Sequence, residues 1–153
     1  MRLDRAWIEL HIPHGGRMCL LDEVIDWDAQ HIRCRSGTQR AADHPLLSRG
    51  RLGIACGIEY AAQAMAVHAA LLGGAAGNGA SPRAEAGFLA SLRNVQLHVQ
   101  RLDDIQSDLI CEAVLVAGNC DGALYEFTVS SQSRPLVSGR ATVVFDAGKR
   151  LKK

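Results

Sequence analysis

Apolar residues occupy nearly every side of a helical wheel over residues 53–72, GIACGIEYAAQAMAVHAALL. Such a segment reads as a helix enclosed by protein, not one lying on a surface, and the pair Gly73-Gly74 is expected to end it. Upstream, residues 4–10 predict a short helix stopped by Pro13 and Gly15-Gly16, because proline disfavours a helical residue before it. Residues 18–27 and 31–38 read as strands joined by a turn at Asp28-Ala29-Gln30, and residues 39–51 as a loop. Downstream the pattern is all strand: residues 88–99, 108–117, 122–132 and 136–145, with turn signals between them at the spacing of an antiparallel meander. Residues 73–83, rich in Gly and Ala, are linker-like. No internal repeat is visible.

One enclosed helix inserted after the first strands and followed by antiparallel strands is an α+β pattern. A curved sheet can wrap such a helix, or a flatter one can carry it on one face. Ala61, Ala62, Ala64, Ala66, Ala69 and Ala70 suit the wrapped form, since small side chains let strands approach.

Composition narrows the partners. At 153 residues the chain is the size of one domain, expected to span residues 1–148, with the basic stretch 149–153 as a solvated tail. A formal net charge of +1, from 17 Lys+Arg and 16 Asp+Glu, leaves no broad electrostatic footprint for nucleic acid or an anionic membrane. The 5 cysteines are odd in number and lack a CxxC, so neither a disulfide framework nor a zinc site is indicated. A cytoplasmic location is expected, with no export signal in the first residues. Glu59, Gln63 and His68 interrupt residues 53–72, which favours a core helix over a membrane span.

Glu59 is the residue that asks for a reason. Burying an unpaired carboxylate is costly, so it should be exposed, paired, neutral or kept for chemistry. Gln63 lies four residues on and shares its helical face. The helix N-terminus presents unpaired N–H groups that could hold a developing oxyanion, and Gly53 and Gly57 would let a substrate approach. Bland alternatives stand beside these. Glu59 would simply favour the helix dipole; His44 would be a solvated loop histidine; His68 would be a hydrogen-bonded core residue; and Cys56 would be a small buried hydrophobe. Arg49 and Arg51 flank the helix entrance, where they either stay solvated or meet a phosphate or an acidic partner.

The stretch IPHGGRMCLLDEVIDW, residues 12–27, resembles the opening of the 3-hydroxyacyl-acyl carrier protein dehydratases, with Pro13, His14, Leu20, Leu21 and Asp22 at the matching positions. The segment from His44 is similar to that family's active-site segment, through His44, Gly53, Glu59, Ala62 and Gln63. Residues 87–97 are similar to the strand after the helix, and GIEYAAQ, residues 57–63, resembles a divergent branch associated with aryl polyene and related polyketide-like pathways. The resemblance covers nearly the whole chain. It implies the hotdog fold, a curved antiparallel sheet around one long helix. It also implies dehydration of a 3-hydroxyacyl thioester on an acyl carrier protein to the trans-2-enoyl thioester, with no cofactor. His44 would be the base and Glu59 the acid, meeting across the interface of a homodimer or of a heterodimer with a related dehydratase; Gly53, Gly57 and Gln63 would bind substrate. Rival readings on the same fold are an acyl thioesterase, in which Glu59 activates water, and a non-catalytic subunit that completes a related partner's site.

Overall fold

Asp4 caps the first helix, accepting the Trp7 N–H at 3.1 Å, and α1 follows as Arg5–His11. The computed structural model describes residues 3–12, 16–75, 87–119 and 121–145. Along them run a 3-10 turn (Gly16–Met18), β1 (Glu23–Trp27), β2 (His31–Ser36), a second 3-10 turn (Thr38–Arg40), α2 (Cys56–Ala75), β3 (Gly87–Leu97), β4 (Leu109–Gly118), β5 (Gly122–Ser131) and β6 (Arg134–Phe145). Pro13, His14 and the expected tail 149–153 lie outside the described residues, as do positions 76–83 of the linker-like segment.

The six strands form one antiparallel sheet in the order β1-β2-β4-β5-β6-β3. Period-2 burial decides which face turns inward. Ile32 and Cys34 of β2, Leu109, Cys111 and Ala113 of β4, and Tyr125, Phe127 and Val129 of β5 are all buried. α2 packs against β2, β4, β5 and β6, so the open, curved sheet wraps it as the hotdog arrangement requires. Ala61 and Ala64 are fully buried at this contact.

Three boundaries depart from the sequence pattern, each because a distant segment claims the backbone. The strand expected from residue 18 begins only at Glu23: Cys19, Leu20 and Leu21 are buried, and the Leu20 N–H bonds to Gln63 of α2 instead of a strand. The meander holds for β4, β5 and β6, but β3 pairs with β6 and occupies the sheet edge. After β3 the chain crosses to the entrance of α2, where Gly53 bridges Arg101 and the Leu102 N–H bonds to the Leu52 carbonyl at 2.7 Å. That pairing also delays the helix, which starts at Cys56 and not at Gly53, and runs through Gly73-Gly74 to Ala75.

The first turn of α2 lies close over β6. A Cβ at Gly57 would stand 2.8 Å from Val137 Cγ1 and 3.7 Å from Leu102 Cδ1. Gly57→Ala should therefore cost about 1–3 kcal/mol by overpacking, against a gain of about 1 kcal/mol in helix propensity. In urea unfolding the substitution is expected to destabilise the wild-type chain and to cost less in a Val137→Ala background; an equal cost in both would contradict the contact.

Candidate functional site

α2 carries four polar or charged side chains across its first four turns, Glu59, Tyr60, Gln63 and His68. Their partners decide what each can do. Gln63 is fully buried. Its Oε1 accepts the Leu20 N–H at 2.8 Å, and its Nε2 donates to the Met18 carbonyl at 2.6 Å. The same amide donates to Glu59 Oε1 at 3.4 Å, so the i, i+4 spacing brings the pair together. Gln63 thus holds residues 18–20 against the helix and contacts the Glu59 carboxylate with the same amide. From the other side, the Arg5 guanidinium donates to the carbonyls of Gly16, Cys19 and Leu21, and Asp22 Oδ2 accepts the Gly37 N–H at 2.7 Å. Glu59 itself is half-buried.

His44 lies inside the fold, 5% exposed. Its Nδ1 faces the Leu46 N–H at 3.1 Å and its Nε2 faces the Tyr60 hydroxyl at 3.0 Å. A backbone N–H can only donate, so Nδ1 holds the lone pair and Nε2 carries the proton. The hydrogen bonds then run in one direction, from His44 Nε2–H to Tyr60, from Tyr60 to Thr38 Oγ1 at 2.8 Å, and from Thr38 to the Leu20 carbonyl at 2.8 Å. Burial pushes the Tyr60 phenol well above its ordinary range and pulls the His44 imidazole below 6.5, the latter against the opposing charge of Asp43. Within the chain His44 meets Tyr60, not Glu59.

The helix entrance is the exposed end of the site. The N–H groups of Cys56, Gly57 and Ile58 bond to the carbonyls of Gly53, Ile54 and Ala55 at 3.0, 2.9 and 3.1 Å. These donors are closed off by an i→i+3 turn, and Gly53 and Ala55 before them are exposed. A Cβ at Gly53 would meet nothing within 4 Å, so that position is open to a substrate. Gly57 is not, because Val137 fills the space in front of it. Beside the entrance, Ser48 and Arg51 exchange backbone bonds at 2.8 and 3.0 Å around Arg49 (φ 54) and Gly50 (φ 75), a tight turn of the I′ kind that leaves Arg49 and Arg51 exposed.

His68 is the core residue its position suggested. Fully buried, it donates from Nε2 to the Asp28 carbonyl and accepts from the Tyr125 hydroxyl at Nδ1, each at 2.8 Å. Burial raises the Cys56 thiol above its ordinary value, which disfavours a thiolate nucleophile there. Tyr60, Thr38 and Arg5, which form these contacts, carry no spacing signal in the sequence; Tyr60 alone adjoins a candidate, Glu59. A groove of about 600 Å³ lined by Asn94, Gln96, Glu112, Glu126 and Arg140 opens on the outward face of the sheet, and Glu59 is not among its lining residues.

Comparison with known proteins agrees with this architecture. The ApeP-like family, described as ApeP dehydratase, matches residues 7–150. The dehydratase heterocomplex ApeI:P from Xenorhabdus doucetiae superposes with a TM-score of 0.82 at 24% identity, covering 95% of this chain and 94% of that one. A mutant thioesterase from Pseudomonas aeruginosa follows at TM-score 0.54 and 10% identity, over 80% of this chain and 78% of that one. A hypothetical thioesterase with coenzyme A from Streptococcus pneumoniae gives 0.56 and 11%, over 80% and 84%. No curated protein matches the chain. None of the described helices is long and apolar enough to cross a membrane.

His44 and His68 set an acid limit on stability. Burial holds both below 6.5 in the folded protein, so as pH falls the unfolded chain takes up protons first. Their contribution is complete above 6.5 and declines from there toward the lowered folded values. The carboxylates of Asp103 and Asp108, held below 3.8 by Arg101 and by Arg40 with Arg35, act only at lower pH. The urea midpoint should be flat from about pH 8 to pH 7 and fall between about pH 6.5 and pH 5, with a shallower fall in His44→Gln and His68→Gln. A midpoint that holds or rises over that interval would contradict the neutral assignment.

Proposed function

Because the chain belongs to the ApeP-like dehydratase family, we propose that it takes part in removing water from a 3-hydroxyacyl thioester presented by an acyl carrier protein. A base takes the C2 proton, the electron pair forms the C2–C3 double bond, and the C3 hydroxyl leaves as water after an acid protonates it. The observation that carries this reading is the placement of Glu59. It is a half-buried carboxylate in the first turn of an otherwise apolar helix, hydrogen-bonded by the Gln63 amide. That carboxyl group is the proton donor to the departing hydroxyl in this reading. Charge that builds on the thioester oxygen meets the N–H groups of Gly53 and Ala55, and Arg49 and Arg51 offer cations to the phosphate of a carrier arm.

The base is an imidazole delivered by a neighbouring subunit. The exposed edge strand supports such pairing: β3 ends the sheet, and Leu89, Leu92, Val95 and Leu97 are exposed on it. A long apolar edge of this kind calls for a covering partner. The similar ApeI:P structure is itself a heterocomplex of dehydratases, which favours a related subunit.

The test is to purify the chain with its companion subunit, supply a 3-hydroxyacyl thioester on a carrier protein, and follow double-bond formation and free-thiol release separately. Enoyl product without thiol release is expected, and Glu59→Gln should lower its rate by about 100-fold or more while the urea midpoint holds. Thiol release without a new double bond would overturn the dehydratase reading in favour of thioester hydrolysis.

A further inference from the structure

We propose that this chain supplies the acid of a composite active site but no base: Glu59 serves the site it shares with a neighbour's histidine, and His44 serves none. The inference rests on the dehydratase reading above and concerns how the two subunits divide the work.

A general base must aim a free ring lone pair at the substrate. His44 has none to offer. The Leu46 N–H occupies Nδ1 at 3.1 Å, and Nε2 carries the proton, donated to Tyr60 at 3.0 Å. Moving that proton to Nδ1 would set two N–H groups against each other at the Leu46 contact. Turning the ring out would break the run of hydrogen bonds through Tyr60 and Thr38 and take a partner from the Tyr60 hydroxyl, whose residue is 0% exposed. The backbone is fixed as well, since the His44 N–H bonds to the Ala41 carbonyl at 3.3 Å and the His44 carbonyl accepts the Leu47 N–H at 3.2 Å. Tyr60 follows Glu59 by one residue and so points about 100° away around the helix. His44 is therefore tied to the inward side of α2 while Glu59 stands at its half-open side.

Pairing this chain with a second dehydratase-fold subunit then creates two unlike sites. One combines Glu59 with the neighbour's imidazole, whose Nδ1–H must donate to an acceptor so that Nε2 is left free. The other would combine His44 with the neighbour's carboxylate and is silent. Two copies of this chain alone would lack a base in both.

The co-purified complex, assayed with a 3-hydroxyacyl thioester on a carrier protein, separates the possibilities. His44→Asn keeps an acceptor for the Leu46 N–H, and His44→Gln keeps a donor for Tyr60. Both should retain kcat/KM within about twofold, with the acid limb of the pH profile unmoved, whereas Glu59→Gln in the same complex loses about 100-fold or more. Tyr60→Phe, which would release Nε2, should likewise leave the acid limb in place. A tenfold or greater loss in either His44 variant, with the complex intact by gel filtration and thermal melting, would overturn the inference and leave the dehydratase reading standing. Absence of enoyl product from the wild-type complex would remove that reading and this inference with it.

Discussion

A helix closed in by a sheet on most of its sides has no water for its polar groups, so each of them must find a partner inside the protein. That constraint organises this molecule. α2 is packed against four strands, and its three fully buried polar side chains each reach a different part of the chain. Tyr60 holds the loop that carries His44, Gln63 holds residues 18–20, and His68 joins the β1–β2 turn to β5. Leaving any one buried donor or acceptor unpaired would cost about 1–3 kcal/mol. The polar groups of the helix are therefore the fasteners of the fold, and the connections around it are fixed by them.

The proposed function rests on the exception. Glu59 lies in the first turn, where the helix emerges toward Gly53 and Ala55, and it is half-buried where its polar neighbours along the helix are enclosed. Gln63 links the two regimes, because the amide that clamps the buried segment also orients the carboxylate. The same logic that exposes Glu59 withdraws His44. Its ring completes the partners of a buried tyrosine, and the bond that stabilises the loop also fixes the proton on the nitrogen a base would need free.

What could be read in the sequence was what depends on local periodicity. The apolar run of α2, the alternation in β5, and the i, i+4 relation of Glu59 and Gln63 are properties of neighbouring residues, and each has its counterpart in the structure. The late start of β1 and the pairing of β3 with β6 were not legible, because they are settled by contacts far along the chain, such as Gln63 with Leu20 and Leu52 with Leu102. Resemblance singled out His44 and Glu59 as candidates but could not supply the tautomer of the histidine. That depends on the Leu46 N–H and the Tyr60 hydroxyl, which no motif encodes.

The division between enclosed and available groups is most directly tested by histidine NMR, using long-range proton–nitrogen correlations of the folded protein near neutral pH. The His44 and His68 rings should both be neutral with the proton on Nε2, and both should titrate below 6.5. A His44 ring that carries its proton on Nδ1, or that titrates near 6.5 like a solvated imidazole, would contradict its commitment to Tyr60 and return it to the active site.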